Sequence, residues 1–195
     1  MWDLVVLVWL LFVARSIYCL FTLKRFTHWP VQGDRSQRPL KTMVILGSGG
    51  HTAEMVSILD KIDRQQFQPL VFVGADTDRN SFPKTRPIEE AKGNLNNCFW
   101  ATIPRSREVG QSYVSSVSTT LRSLAHCLML VLTNGPDLII CNGPGTCVPI
   151  CFAQLLLHVF LFRPYFVVFI ESFCRVKTLS LSGRILYPFV SLFVV

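Results

Sequence analysis

The spacing of apolar positions changes several times along the chain, and each change predicts an element. Residues 4–23 are almost continuously apolar, with Arg15 their single charge. A helix of that length, at about 1.5 Å rise per residue, spans a hydrocarbon core of roughly 30 Å, so it predicts a transmembrane anchor. Residues 24–41 turn polar, with Pro30, Gly33 and Pro39, and read as a basic linker. From residue 42 onward, short apolar runs at 42–46, 70–73, 99–103, 138–141 and 165–170 predict strands. Between them, 51–63, 113–132 and 147–162 predict helices, the first with Met55, Val56, Leu59 and Ile62 on one face.

Strands that are short and apolar on both faces, alternating with helices, predict a parallel sheet covered on both sides. The fold class is therefore α/β, a Rossmann-like domain over 42–195 behind one N-terminal transmembrane helix. Residues 74–98 show no clear period and read as a mobile surface loop. Ligands of such sheets bind beyond the carboxyl ends of the strands. That rule places 47–51, 104–112, 142–146 and 171–178 along one rim.

Charge refines the picture of the anchor. Residues 1–41 hold six Lys/Arg and two Asp/Glu, four of the net +7, and all but Arg15 of the basic residues follow the apolar run. Basic flanks stay cytosolic, which predicts a lumenal N-terminus and a cytosolic domain. A cleaved signal peptide would carry its charges in front of the apolar run. Arg15 costs about 2.5–3.5 kcal/mol at mid-span on insertion scales, so it either tilts the helix, pairs with a partner, or shortens the span. No dense basic stripe with interleaved aromatics is present, which excludes a nucleic-acid partner and leaves contact with anionic lipid as the use of the excess charge. Seven scattered cysteines without a C-x-x-C pair suggest neither disulfides nor a metal site but buried, reduced thiols.

The candidate chemistry lies on the predicted rim. Gly47-Ser48-Gly49-Gly50-His51 is a strand–turn–helix phosphate cradle. Thr52 replaces the third glycine of the dinucleotide fingerprint and no P-loop Lys is present, which disfavours NAD and ATP; no cofactor is expected. Arg105 and Arg107 offer two guanidinium forks, for phosphate or for a capping loop with Glu108. Asn142, Gly143 and Gly145 form a second backbone cradle or simple turn chemistry. Glu171 ends the fifth strand, either to meet sugar hydroxyls or to cap the segment after it. Asp76-Thr77-Asp78 matches a metal-binding D-x-D pattern but reads as a solvated turn. His126 and His158, within apolar helix patterns, read as core or interface residues.

Four stretches, "LGSGGHTAEM", "IPRSREVGQS", "PDLIICNGPGTCVPIC" and "ESFCRVKTLSLSGRIL", resemble the membrane-anchor subunit of the eukaryotic two-part UDP-N-acetylglucosamine transferase, which adds the second sugar of the dolichol-linked oligosaccharide of N-glycosylation. The resemblance implies the N-terminal half of a two-Rossmann-domain glycosyltransferase similar to the bacterial enzyme that glycosylates lipid I. It implies a separate catalytic glycosyltransferase subunit as partner, recruited to the cytosolic face of the endoplasmic reticulum membrane, and no activity of this chain alone. It also implies a dolichol-diphosphate acceptor. Gly49, Gly50 and His51 would face that diphosphate or the reaction cleft, His51 either as base or as ligand; Ser48 belongs to the same phosphate cradle. Members continue past residue 186 through another strand to a polar tail that helps hold the partner, whereas here "YPFVSLFVV" is an apolar run. An exposed run of that kind would be a hazard for aggregation or membrane binding. The alternatives to the subunit reading are a pure membrane scaffold or an inactive variant. A self-sufficient transferase is disfavoured, since one Rossmann-like domain makes only half of a two-lobed cleft.

Overall fold

The structure is a computed structural model and describes residues 2–22, 38–107, 110–161, 163 and 165–195. Most of the predicted linker and Glu108 lie outside the described residues.

The N-terminal apolar run forms helix α1, Trp2–Thr22. Its residues Trp2–Cys19 are long and apolar enough to cross a membrane, and almost none of that window is buried by the rest of the chain. Strand β1 (Thr42–Ile45) leads into α2 (Gly50–Lys61), β2 (Leu70–Ala75), α3 (Ser81–Ala91), β3 (Cys98–Ile103) and α4 (Tyr113–Asn134). Strand β4 (Leu138–Asn142), α5 (Cys147–Leu161), β5 (Val167–Ile170), α6 (Leu181–Leu186) and β6 (Leu192–Val194) complete the domain. The six strands form one parallel sheet in the order β3-β2-β1-β4-β5-β6, with Thr42 level with both Leu70 and Leu138.

The continuous apolar runs of β1, β2 and β4 reflect their position, because both faces of an inner parallel strand are covered. Alternate residues point opposite ways. Met43, Ile45, Val73, Ile139 and Phe169 pack under α4, α5 and α6, with Cys127, Val131, Ile150 and Leu186. Val44, Leu46, Phe72 and Ile140 pack on the other face with Met55 and Leu59 of α2. A second stretch apolar enough for a span, Val114–Asn134, lies in α4, whose Ser116, Ser123, Cys127 and Val131 are buried; it is a covering helix of the sheet.

One expectation fails. Residues 74–98 are not a loop: they hold the end of β2, α3 and a 3-10 turn at Leu95–Asn97. Helix α3 lacks an apolar stripe because its buried positions are Ser81, Thr85 and Glu89, and prolines at 83 and 87 break the sequence signal further. Glu89, 1% exposed, takes both Nε (2.8 Å) and Nη2 (2.6 Å) of Arg64, whose Nη1 also donates to the Leu59 and Ile62 carbonyls at the end of α2. An ion pair therefore does here what apolar packing does elsewhere.

The terminal apolar run is packed onto the sheet. After α6 it adds β6 to the edge of the sheet, pairing Phe193 with Phe169 in register. The two rings stack at 5.1 Å and Tyr187 meets Phe193 edge-on at 5.0 Å. The run is apolar because it completes the sheet.

Candidate functional site

The chain reverses direction across the sheet between β1 and β4, where α2 leaves toward one face and α5 toward the other. Such a switch point opens a crevice beyond the strand ends. Two cavities fill it here. The smaller, about 260 Å³, is lined by Ser48, His51, Asp78, Arg105, Ser106, Thr146 and their neighbours. The larger, about 690 Å³, is lined by Gly50, His51, Glu54, Glu171, Ser172 and others, and both are lined by Arg107, Gly143 and Gly145.

The turn after β1 is built for close approach. Gly49 caps α2 at φ +65°, and a side chain on Gly47 would meet the His51 Cβ at 2.7 Å and Pro144 at 3.0 Å. The Thr52 hydroxyl bonds the Gly47 carbonyl and lies 2.6 Å from Ser81 Oγ, which itself donates to the Gly47 carbonyl at 2.8 Å. A third glycine would lose this tie, which explains why Thr52 stands there. Asp78 accepts from the Asn80 and Ser81 amides and so starts α3. The D-x-D stretch is thus a helix-start turn. Among the described residues, no group of three or more His, Cys, Asp or Glu gathers as a metal would require.

His51 is the centre of the site. Its Nδ1 lies 2.8 Å from Oδ1 of Asn142, which is 1% exposed at the end of β4. With Oδ1 as acceptor, the proton sits on Nδ1 and Nε2 carries a lone pair, a tautomer assigned from the partner. Gly143 has φ +63°, and a Cβ there would fall 2.7 Å from His51 Cε1. Glu54, one turn along α2, places Oε2 3.8 Å from Nδ1 and takes the Ser172 hydroxyl at 2.7 Å on Oε1.

The remaining predicted residues divide. Arg107 donates Nε and Nη2 to the Gln111 carbonyl at 3.1 and 2.8 Å, holding its own loop while it lines both cavities. Glu171, 2% exposed, accepts from the Ser172 amide at 3.2 Å and the Ser180 amide at 2.8 Å, so it pins 172–180 to the start of α6. Gly49 and Asn142 line neither cavity: one caps α2 and the other holds His51. His126 is exposed on α4 rather than buried in the core. His158 places Nδ1 2.6 Å from the Arg163 carbonyl.

Ser106, Thr146 and Glu54 carry no signal of their own in the sequence. Ser106 and Thr146 sit inside segments that do, and Glu54 is three residues from His51 on one helix, a spacing that puts both on one face. Among the described residues, Glu54 Oε2, Asn142 Nδ2 and Thr146 Oγ1 are buried without a hydrogen-bond partner. Buried polar groups are nearly always satisfied, so Thr146 on the smaller cavity and Glu54 on the larger mark where a polar ligand or water belongs.

The family model "Oligosaccharide biosynthesis protein Alg14 like" matches residues 42–195. A Mus musculus protein named UDP-N-acetylglucosamine transferase subunit ALG14 is 41% identical over 177 residues, covering 86% of this chain and 81% of its own. Its Homo sapiens namesake is 42% identical over 162 residues, covering 80% and 74%. Among solved structures, the crystal structure of Acinetobacter baumannii MurG matches with a TM-score of 0.55 at 15% identity over 80% of this chain. The likeness is one of fold, and this chain spans 41% of the MurG chain.

Proposed function

The chain belongs to the Alg14 family, and on that premise we propose that it is the membrane-anchored subunit of a UDP-N-acetylglucosamine transferase, required for transfer but inactive on its own. In this reading it recruits the catalytic subunit to the cytosolic face of the endoplasmic reticulum. Its rim helps bind the GlcNAc-diphosphate-dolichol acceptor for addition of the second GlcNAc, while the partner supplies the other lobe and the donor site. Residues 4–23 are the anchor, 24–41 the linker, and 42–195 the cytosolic domain. The basic residues after the span support that orientation.

The observation that carries the reading is the meeting of α2's first turn, with His51, and the loop after β4 around shared cavities at the β1/β4 switch point. The first amides of a helix have no partner within it, and together with the helix dipole they favour an anion. An acceptor diphosphate placed there brings its sugar hydroxyl to His51. The hydroxyl oxygen attacks the donor's anomeric carbon and UDP departs. The Nδ1 proton is engaged by Asn142, so Nε2 accepts the hydroxyl proton, and we take His51 as the base.

The test is sugar transfer from UDP-N-acetylglucosamine to the lipid acceptor in microsomes that hold the full chain and the catalytic subunit. His51→Ala is expected to lower transfer by about 10²–10⁴-fold with co-purification of the partner unchanged. Full activity of His51→Ala would mean that the chain is only a scaffold. Failure of the unaltered chain to bind the partner would sink the subunit reading itself.

A further inference from the structure

Arg15 is the only charge in the apolar stretch 4–23, and α1 does not leave it facing lipid. Its Nε donates to the Val159 carbonyl at 3.0 Å and its Nη2 to the His158 carbonyl at 3.1 Å. Both carbonyls belong to the last turn of α5, where backbone acceptors lack partners within the helix and the dipole leaves partial negative charge. Three residues earlier, on the same side of α1, the Phe12 ring meets the Phe160 ring at 5.1 Å. Helix α1 is therefore seated on the end of α5, with Arg15 and Phe12 among the residues that hold it.

The end of α5 is unlike its body. Cys147, Ile150, Cys151 and Ala153 are buried against the sheet, whereas Phe160 is 56% and Leu161 52% exposed. Arg15 lies eight residues before Leu23, which places it about 12 Å inside the cytosolic end of the apolar stretch at 1.5 Å per residue. Carbonyls within hydrogen-bond distance of it lie near the same depth, and the side chains that follow His158, those of Val159, Phe160 and Leu161, are apolar. Inside a bilayer, backbone acceptors must be satisfied within the protein, and buried arginines pair with backbone carbonyls. Arg15 and the end of α5 meet each other's requirement.

We propose that the last turn of α5 is a lipid-contacting surface, drawn into the cytosolic leaflet by Arg15, so that the domain is held on the membrane at two elements. The lipid contact rests on the reading of α1 as a membrane span; the seating of α1 on α5 does not. The partner is the bilayer itself, chosen because Phe160 and Leu161 adjoin the apolar span through Phe12.

The test uses the full chain in microsomes with Cys174→Ser, since Cys174 is the exposed cysteine. Phe12→Cys with Phe160→Cys is expected to cross-link on oxidation, and Arg15→Leu to reduce the cross-link. A membrane-impermeant maleimide is expected to label Leu161→Cys at least about tenfold more slowly than Val176→Cys, because thiolate formation needs water. In Arg15→Leu the two rates converge. Arg15→Lys keeps a positive charge but bonds the two carbonyls less well, and falls between. Labelling of residue 161 at the rate of residue 176 with Arg15 present overturns the lipid contact, and a cross-link indifferent to Arg15→Leu overturns the seating. Release of the chain by alkaline carbonate overturns the span and the lipid contact with it, while the cross-link still decides the seating of α1 on α5.

Discussion

His51 Nδ1 and Asn142 Oδ1 stand 2.8 Å apart although 91 residues separate them, one on the first turn of α2 and one at the last position of β4. In the proposed function, this bond leaves Nε2 as the ring nitrogen that meets the acceptor. Asn142→Ala removes the acceptor from a buried position and frees the ring to turn. Sugar transfer by the assembled transferase is expected to fall about 10–100-fold, less than for His51→Ala. Asn142→Asp keeps an acceptor at the same place and is expected to retain more activity than Asn142→Ala, measured in the same microsomal assay.

Gly143 admits no side chain. Its φ of +63° and the 2.7 Å approach of a Cβ to the His51 ring act together. Gly143→Ala is expected to destabilise the domain by about 1–3 kcal/mol and to displace His51. Thermal unfolding of the detergent-purified chain and the transfer assay check the two effects separately. Loss of activity without loss of stability would show that the ring, not the fold, bears the clash.

Arg64 and Glu89 join α2 to α3 with side chains only 10% and 1% exposed. Removing one partner strands the other charge in the interior. Glu89→Ala is expected to cost about 3–5 kcal/mol, whereas an apolar replacement of both residues is expected to cost much less. Denaturant midpoints of the single and double variants decide between a supporting ion pair and an incidental one.

The thiols give a pH test. Burial pushes Cys98 and Cys127 up to about 12, from an ordinary value near 9. Burial raises Cys141 and Cys147 as well, and Cys151 is raised first by its bond with Cys141 and then by burial. At neutral pH the folded chain is therefore expected to react with a thiol reagent at Cys174 first, and at these five only on unfolding. Their folded values lie above their unfolded ones, so the stability linked to them is full below pH 9. It falls as pH rises from about 9 toward 12, as alkaline unfolding curves will show.

The rim was legible because its signals are local. Gly47 to His51 and Asn142 to Thr146 each come directly after an apolar run, and a parallel sheet brings such turns to one edge without further information. Helix α3 was not legible, since Ser81, Thr85 and Glu89 bury polar groups at helical spacing and the apolar period that marks a covered face is missing. The terminal run was ambiguous for the opposite reason: apolar residues with no charge fit an exposed run or a packed one, and only the stacking of Phe193 on Phe169 decides.

The sequence by itself determined the apolar N-terminal helix, the alternation of strands and helices, and the turns that hold the candidate chemistry, because each is set by the apolar or polar character of neighbouring residues. Only the tertiary structure decided that Asn142 orients His51, that Glu89 is the counter-charge of Arg64, and that Arg15 caps α5. Each of those side chains is polar and its partner is distant, and nothing in local spacing says which distant group will satisfy a buried donor or acceptor.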